Sequence, residues 1–149
     1  MYAPTVNSYK RYQPESWAPT ALAWSVDNRT CGYRVVGHGN ALRLESRIPG
    51  ADVNPYLAFA ATIAAGLHGI EHELDPGERF DGNAYAAPEL PRVPESLHEA
   101  IDAFAGSKVA ADAFGTDVHE HLLNTGRQEL AHFNRAVTDW ELRRNFDQW

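Results

Sequence analysis

Residues 54 to 71 read NPYLAFAATIAAGLHGIE. Asn54 is a side chain that accepts hydrogen bonds from the free N–H groups at a helix start, and Pro55 sits where its fixed φ suits the first helical turn and no N–H is needed. From Pro55 the apolar residues run almost all the way round the helical wheel to about Ile70, which predicts a helix covered on nearly every side by the rest of the fold. Its alanines and Gly66 suit close approach of neighbouring elements. The apolar run Pro55 to Leu67 is interrupted by Thr62 and falls short of the roughly 20 residues that a membrane span needs.

Upstream of this helix lie three short extended runs, TALAWSV (20–26), YRVV (33–36) and LRLESRI (42–48), punctuated by the turn-rich DNRTCG, GHGN and PGADVNP. They are predicted to be strands of one antiparallel sheet. Alternation in the third run places Leu42, Leu44, Ser46 and Ile48 on one face and Arg43, Glu45 and Arg47 on the other. Such a charged face suits a catalytic strand, and equally a surface strand whose glutamate neutralises two arginines. Downstream, the proline- and glycine-rich segment 75–94 reads as a long surface loop. Pro94–Phe104 and Lys108–Phe114 read as short amphipathic helices, and Thr116–Asp147 as a longer one. The fold class that follows is α+β, antiparallel strands followed by packed helices.

At 149 residues and 44% apolar composition the chain fits one domain, or one piece of a larger one, with a real core. Its single cysteine, Cys31, allows no internal disulfide and suits a reducing cytoplasm. The opening MYAPTVNSYKRY lacks the basic and then hydrophobic regions of a secretion signal. The net charge of −7 is unevenly spread: residues 1–50 carry +3 and the remainder −10. An acidic chain with a pI near 5.4 disfavours a nucleic-acid partner. Five of the six cations in the basic part are arginines, Arg11, Arg29, Arg34, Arg43 and Arg47. Arginine is favoured where a planar fork grips carboxylate or phosphate, although scattered surface ion pairs would use the same residues.

Seven histidines invite a metal reading. His68 and His72 share a helix face, but HGIEH has its glutamate in the wrong place for the HExxH zinc signature. His119 and His121 point to divergent faces and read as solvated surface, and His38 reads as a turn residue. The segment RYQPESWAPT (11–20) poses a separate question, because Trp17 lies between two prolines in a loop that would normally carry a polar side chain.

Six blocks in order, NSYKR (7–11), AP (18–19), DNR (27–29), YR (33–34), RLESRIPG (43–50) and NPYLAFAATIAAGLHGIE (54–71), resemble the C-terminal third of a glutamine synthetase, and the tail from PESLHEAI to WEL resembles its closing helices. The resemblance implies that residues 1–149 are a partial glutamine synthetase catalytic domain, the C-terminal part, with the small N-terminal domain and the first half of the catalytic domain absent. It implies a cytoplasmic, homo-oligomeric parent enzyme without membrane or nucleic-acid partners. That parent would use ATP to phosphorylate the side-chain carboxylate of glutamate and let ammonia or a larger amine displace the phosphate, with Mg²⁺ or Mn²⁺ between nucleotide and acyl group. Glu45 matches a metal-ligating carboxylate, which is a hard oxygen donor suited to those ions. Arg47 and Arg11 match glutamate-binding arginines, Arg29 and Arg34 match those that meet the transferring phosphoryl group and the ATP phosphates, and Arg43 faces nucleotide phosphate as well. The alternative is a non-catalytic remnant or interaction module that retains the fold.

Two positions depart from the family pattern. Asn40 lies near where bacterial-type members carry a lysine, and Trp17 stands where ammonia-using members carry a glutamate that binds and deprotonates ammonium. An indole does neither. It can wall a pocket for the carbon body of a larger amine, which resembles the γ-glutamylamide ligase branch acting on polyamines or ethanolamine, or it can anchor the loop by burial. Tyr85 in GNAYAAPELP aligns with a loop tyrosine that some bacterial members have adenylylated, but its flanks differ and it reads as an ordinary surface-loop residue.

Overall fold

A computed structural model of the chain describes residues 1–146 and Gln148. Helix α1 (Pro55–Glu71) starts where the sequence predicts: Asn54 Oδ1 accepts from the N–H groups of Tyr56 at 3.0 Å and Leu57 at 3.4 Å, with Pro55 beginning the first turn. Its burial departs from expectation. Ala58 alone is buried, while Tyr56, Phe59, Ile63, Leu67 and Ile70 form an exposed apolar stripe, Tyr56 at 82% and Ile70 at 76%. An apolar helix becomes buried only when another element lies over it, and here α1 has α3 (Lys108–Phe114) on one side and solvent along the stripe. The accessible surface is 10406 Å², whereas a compact monomer of this mass exposes about 7,500 Å².

The sheet has three strands in the order β1 (Ala21–Val26), β2 (Cys31–Val36) and β3 (Arg43–Ser46). The β2–β3 pair is antiparallel as expected, but β1 and β2 run parallel, with Ala21 opposite Cys31 and Val26 opposite Val35. The sheet is therefore mixed. Asp27 takes a left-handed φ of 51°, and Asn28 Oδ1 accepts from the Thr30 N–H at 3.0 Å and hydroxyl at 2.7 Å, so the connection returns to the start of β1 instead of closing a hairpin. Gly32 permits the close approach, since a Cβ there would lie 2.9 Å from the Ala21 carbonyl oxygen.

The 75–94 segment is more than a surface loop. It lies along β1 as a strap: the Leu22 N–H donates to the Pro91 carbonyl at 2.7 Å, Phe80 N–H to Trp24 at 3.0 Å, Val93 N–H to Thr20 at 3.2 Å, and the Trp24 indole N–H to Gly77 at 2.9 Å. Its own Ala84, Ala87 and Val93 are buried. A satisfied strand edge and three covered apolar side chains explain why so proline-rich a segment holds one course.

The main core joins Tyr9, Tyr12, Ala18, Ile48, Val93, Leu97, Ile101 and Leu123, so it ties the N-terminal 3₁₀ segment Val6–Arg11 and the end of β3 to the helices. Helix α2 (Leu97–Ala105) packs on α4 (Thr116–Arg135). The single long helix predicted from Thr116 is broken after Arg135 and restarts as α5 (Asp139–Phe146), while Asp147 lies outside the described residues. Thr138 is the cause. Its hydroxyl accepts from the Glu141 N–H at 3.3 Å and the Glu141 carboxylate accepts from the Thr138 N–H at 2.7 Å, a reciprocal cap that starts a new helix. His119 is buried, not solvated: its Nε2–H donates to the Phe104 carbonyl at 2.9 Å and its ring stacks on Phe104. No helix among the described residues is long and apolar enough to cross a membrane.

Candidate active site

The charged face of β3 is organised by register. Glu45 lies directly opposite Arg34 on β2, so both side chains leave the sheet on the same face, and Arg47 follows two residues later. Arg34 Nη1 donates to Glu45 Oε2 at 3.3 Å and Arg47 Nη1 donates to Glu45 Oε1 at 2.5 Å. Arg34 also pairs with Asp27 at the end of β1. The result is a row of alternating charge, Asp27, Arg34, Glu45, Arg47, laid across all three strands. The hydrogen bond from Arg47, followed by the fields of Arg47 and Arg34, holds the Glu45 carboxyl below its ordinary range, so it is ionised at neutral pH.

Arg47 reaches further. Its Nη2 donates to the Trp17 carbonyl at 2.7 Å and its Nε to the Arg29 carbonyl at 3.2 Å. The loop of residues 11–19 is thereby drawn to the same face. Arg11 closes the assembly from behind: its two terminal nitrogens donate to the carbonyls of Ile48 at 2.9 Å and Arg47 at 2.8 Å, and the Tyr12 hydroxyl donates to Ile48 at 2.9 Å. The Arg11 fork is thus engaged by main chain. Arg29 has an exposed side chain beside Asp27, and its field is one of those that depress the Asp27 carboxyl, after the larger effect of Arg34. Arg43 is exposed, donates to the Ala41 carbonyl at 3.3 Å, and shares a surface crevice with Arg34, Asp27 and His38. Asn40 is exposed in the short turn before β3.

Trp17 is the least expected member. It has a left-handed φ of 62° and is 62% exposed as a residue, while the next two residues, Ala18 and Pro19, are buried. The Tyr85 hydroxyl, on the strap, donates to the Ala18 carbonyl at 2.9 Å. Ser16 also braces the loop, with its hydroxyl donating to the Gln13 carbonyl at 2.7 Å and accepting from the Ala18 N–H at 3.2 Å.

As a metal site the described residues are incomplete. Glu45 offers one hard carboxylate whose oxygens are each already paired to an arginine, and among the described residues no group of three or more His, Cys, Asp or Glu side chains could hold an ion. Mg²⁺ demands near-octahedral oxygen ligation, which one carboxylate does not supply. The rings of His68 and His72 lie 4.0 Å apart, tilted by 34°, and His72 Nδ1–H donates to the His68 carbonyl; neither forms part of such a group.

The sequence model of the glutamine synthetase catalytic domain matches residues 1–145. The chain belongs to that family. A γ-glutamylethanolamide synthetase of Streptomyces coelicolor is 57% identical over 99% of this chain and 32% of its own length. A glutamate–isopropylamine ligase of a Pseudomonas species is 43% identical over 99% of this chain and 33% of its own, and a glutamine synthetase of Methanosarcina mazei is 40% identical over 95% and 33%. Among solved structures, a GmaS complex with ADP superposes with a TM-score of 0.84 at 35% identity, covering 98% of this chain and 35% of that one. This chain therefore spans about a third of the length of the relatives it matches. The glutamine synthetase family implies ATP and a divalent metal, and the relatives named here as alkylamine ligases place the chain's similarity in the γ-glutamylamide branch.

Within the glutamine synthetase frame, two participants were missed by sequence reasoning. Asp27 ends the row by pairing with Arg34, a role that nothing in the DNR block announces. Tyr85 reads from sequence as an ordinary surface-loop residue, but it is tied to the Trp17 loop. Nothing local to Tyr85 announces that contact, because it depends on the strap running back along β1.

Proposed function

We propose that this chain is the closing part of an enzyme that joins the γ-carboxylate of glutamate to a carbon-bearing amine, of the ethanolamine or alkylamine class, with ATP driving the reaction through γ-glutamyl phosphate. A carboxylate oxygen of glutamate attacks the γ-phosphorus and ADP departs. The amine nitrogen then attacks the acyl carbon, phosphate leaves, and the nitrogen gives up a proton. Arg47 and Arg34 supply fixed positive charge on one face of the sheet, where they would hold carboxylate and phosphate oxygens. Arg29 and Arg43, exposed beside them, add charge that spreads with the transferring phosphoryl group. Arg11 acts by fixing the main chain that carries Arg47. Glu45 would give one oxygen to a divalent metal, with further ligands required from outside the described residues.

The observation that carries the amine class is Trp17. A tryptophan that anchors a loop is buried, whereas here the main chain is pinned by Arg47 and Tyr85 and the residue is left 62% exposed. An exposed indole on a fixed backbone suits the wall of a pocket for an amine's methylenes or its cationic head. The test is a chimera in which residues 1–149 replace the corresponding third of the Streptomyces γ-glutamylethanolamide synthetase. It should release phosphate from ATP with glutamate and an alkylamine, with kcat/KM well above that for ammonia. A folded chimera that favours ammonia would overturn the amine assignment.

A further inference from the structure

Two adjacent carbonyls of the 11–19 loop are held from different elements. The Trp17 carbonyl accepts from Arg47, which follows β3, at 2.7 Å, and the Ala18 carbonyl accepts from Tyr85, on the strap along β1, at 2.9 Å. Immediately before the first of them Trp17 takes φ 62°, a left-handed conformation that a bulky residue keeps only when its surroundings impose it. Glu15 shares the left-handed region at 63°, so the chain turns sharply on both sides of Ser16. Beyond the tethers, Ala18 and Pro19 enter the core, which stops the loop from relaxing in that direction. The direction of the exposed indole is therefore a consequence of where these two carbonyls are held.

Arg47 does several things at once, since it also meets Glu45 and the Arg29 carbonyl. The Tyr85 hydroxyl is directed only at this loop: it donates to the Ala18 carbonyl, with Ser16 and the Trp17 main chain beside it. The ring is half-buried, and burial raises the hydroxyl above its ordinary pKa, so it remains a donor at neutral pH. Asn83 holds the strap's turn at this point, its Oδ1 accepting from the Tyr85 N–H at 3.0 Å, and buried Ala84 fixes the turn against Ala21 and Cys31. The donor thus has a rigid base of its own.

We propose that Tyr85 is a positioning residue for the amine subsite: by holding the Ala18 carbonyl it fixes the direction in which Trp17 presents its indole, and so tunes binding of the amine without touching glutamate or ATP. This rests on the amine-wall reading of Trp17.

The experiment uses Tyr85→Phe, which keeps the ring and deletes the hydroxyl. In the dilute 149-residue chain, hydrogen exchange of residues 13–18 should speed up about two- to tenfold, the range for one neutral hydrogen bond, while exchange in β2 stays as in the unmutated chain. In the chimera, KM for the amine should rise by a similar factor while KM for glutamate and for ATP holds. Unchanged exchange at residues 13–18 would overturn the tether. Faster exchange with all three KM values unchanged, or raised together, would overturn the positioning role. A chimera that prefers ammonia would end the alkylamine reading alone, and Tyr85 would then be judged by KM for ammonia.

Discussion

Arg47 Nη2 donates to the main-chain carbonyl of Trp17 at 2.7 Å while Nη1 of the same guanidinium donates to Glu45. One planar side chain thus joins the strand that carries the acidic ligand to the loop that carries the aromatic wall. A lysine has no fork with which to make both contacts. Arg47→Lys and Arg47→Ala in the chimera are expected to lower kcat/KM for glutamate by tenfold to more than a hundredfold, the equivalent of about 1.5 to 3 kcal/mol for a charge-assisted hydrogen bond. Steady-state kinetics with varied glutamate checks it, and lysine restoring normal values would show that the fork is dispensable.

Trp17→Glu should swing amine preference. It removes the apolar wall and installs a carboxylate able to bind ammonium, and both changes favour ammonia. The ratio of kcat/KM for ethanolamine to that for ammonia is expected to fall tenfold or more. An unchanged ratio would remove the ring from the amine site.

Glu45 should titrate low. Because its folded pKa lies below the ordinary 4.5, the unfolded chain binds more protons between the two values. The pairing therefore contributes stability that is fully present above about pH 4.5 and is lost as pH falls through the folded value. Carbon-detected NMR titration of the Glu45 carboxyl should show a midpoint below 4.5 that moves up in Arg47→Ala. A midpoint indifferent to that substitution would mean the pair is not formed in solution.

Thr138→Ala should unravel α5 without disturbing the sheet. It deletes the hydroxyl that caps the Glu141 N–H, a loss of about 0.5 to 2 kcal/mol for a helix start. Faster amide exchange confined to 139–146 is the expected signature, and Thr138→Ser should restore protection.

The 149-residue chain by itself should show no ligase turnover. With Glu45 as an isolated carboxylate, phosphate release in the presence of ATP, Mg²⁺, glutamate and amines is expected to match that of Glu45→Ala. Turnover clearly above that control would mean that one carboxylate suffices.

What could be read in the sequence was what local chemistry determines. Asn54–Pro55 announces α1, the alternation of RLESR announces which charges share a face, and α3 begins and ends where its pattern does. The parallel β1–β2 pairing was not legible, since DNRTCG looks like any turn and only the left-handed Asp27 with the Asn28 turn reveals the return path. The TDWE signature at 138–141 carries the cap residues but sits within a strong helical pattern that masks it. Tyr85 depends on a contact between distant segments, Asp27 on the parallel return that brings Arg34 beside it, and His119 on Phe104 fifteen residues away, none of which periodicity encodes.

The uncovered stripe on α1 bears on how this chain responds to temperature. Unfolding heat capacity comes mainly from apolar surface newly exposed to water, about 12 to 15 cal/mol/K per residue in ordinary domains, or about 2 kcal/mol/K for a chain of this length. Surface that is already wet adds nothing. If all of the roughly 2,900 Å² exposed beyond a compact monomer were apolar, about 1.3 kcal/mol/K would be missing from that figure. The stability of the isolated chain should accordingly vary with temperature along a shallow, weakly curved line, and calorimetry should record a broad, low transition. The steep curvature of an ordinary domain should return when a protein surface closes over Tyr56, Phe59, Ile63, Leu67 and Ile70.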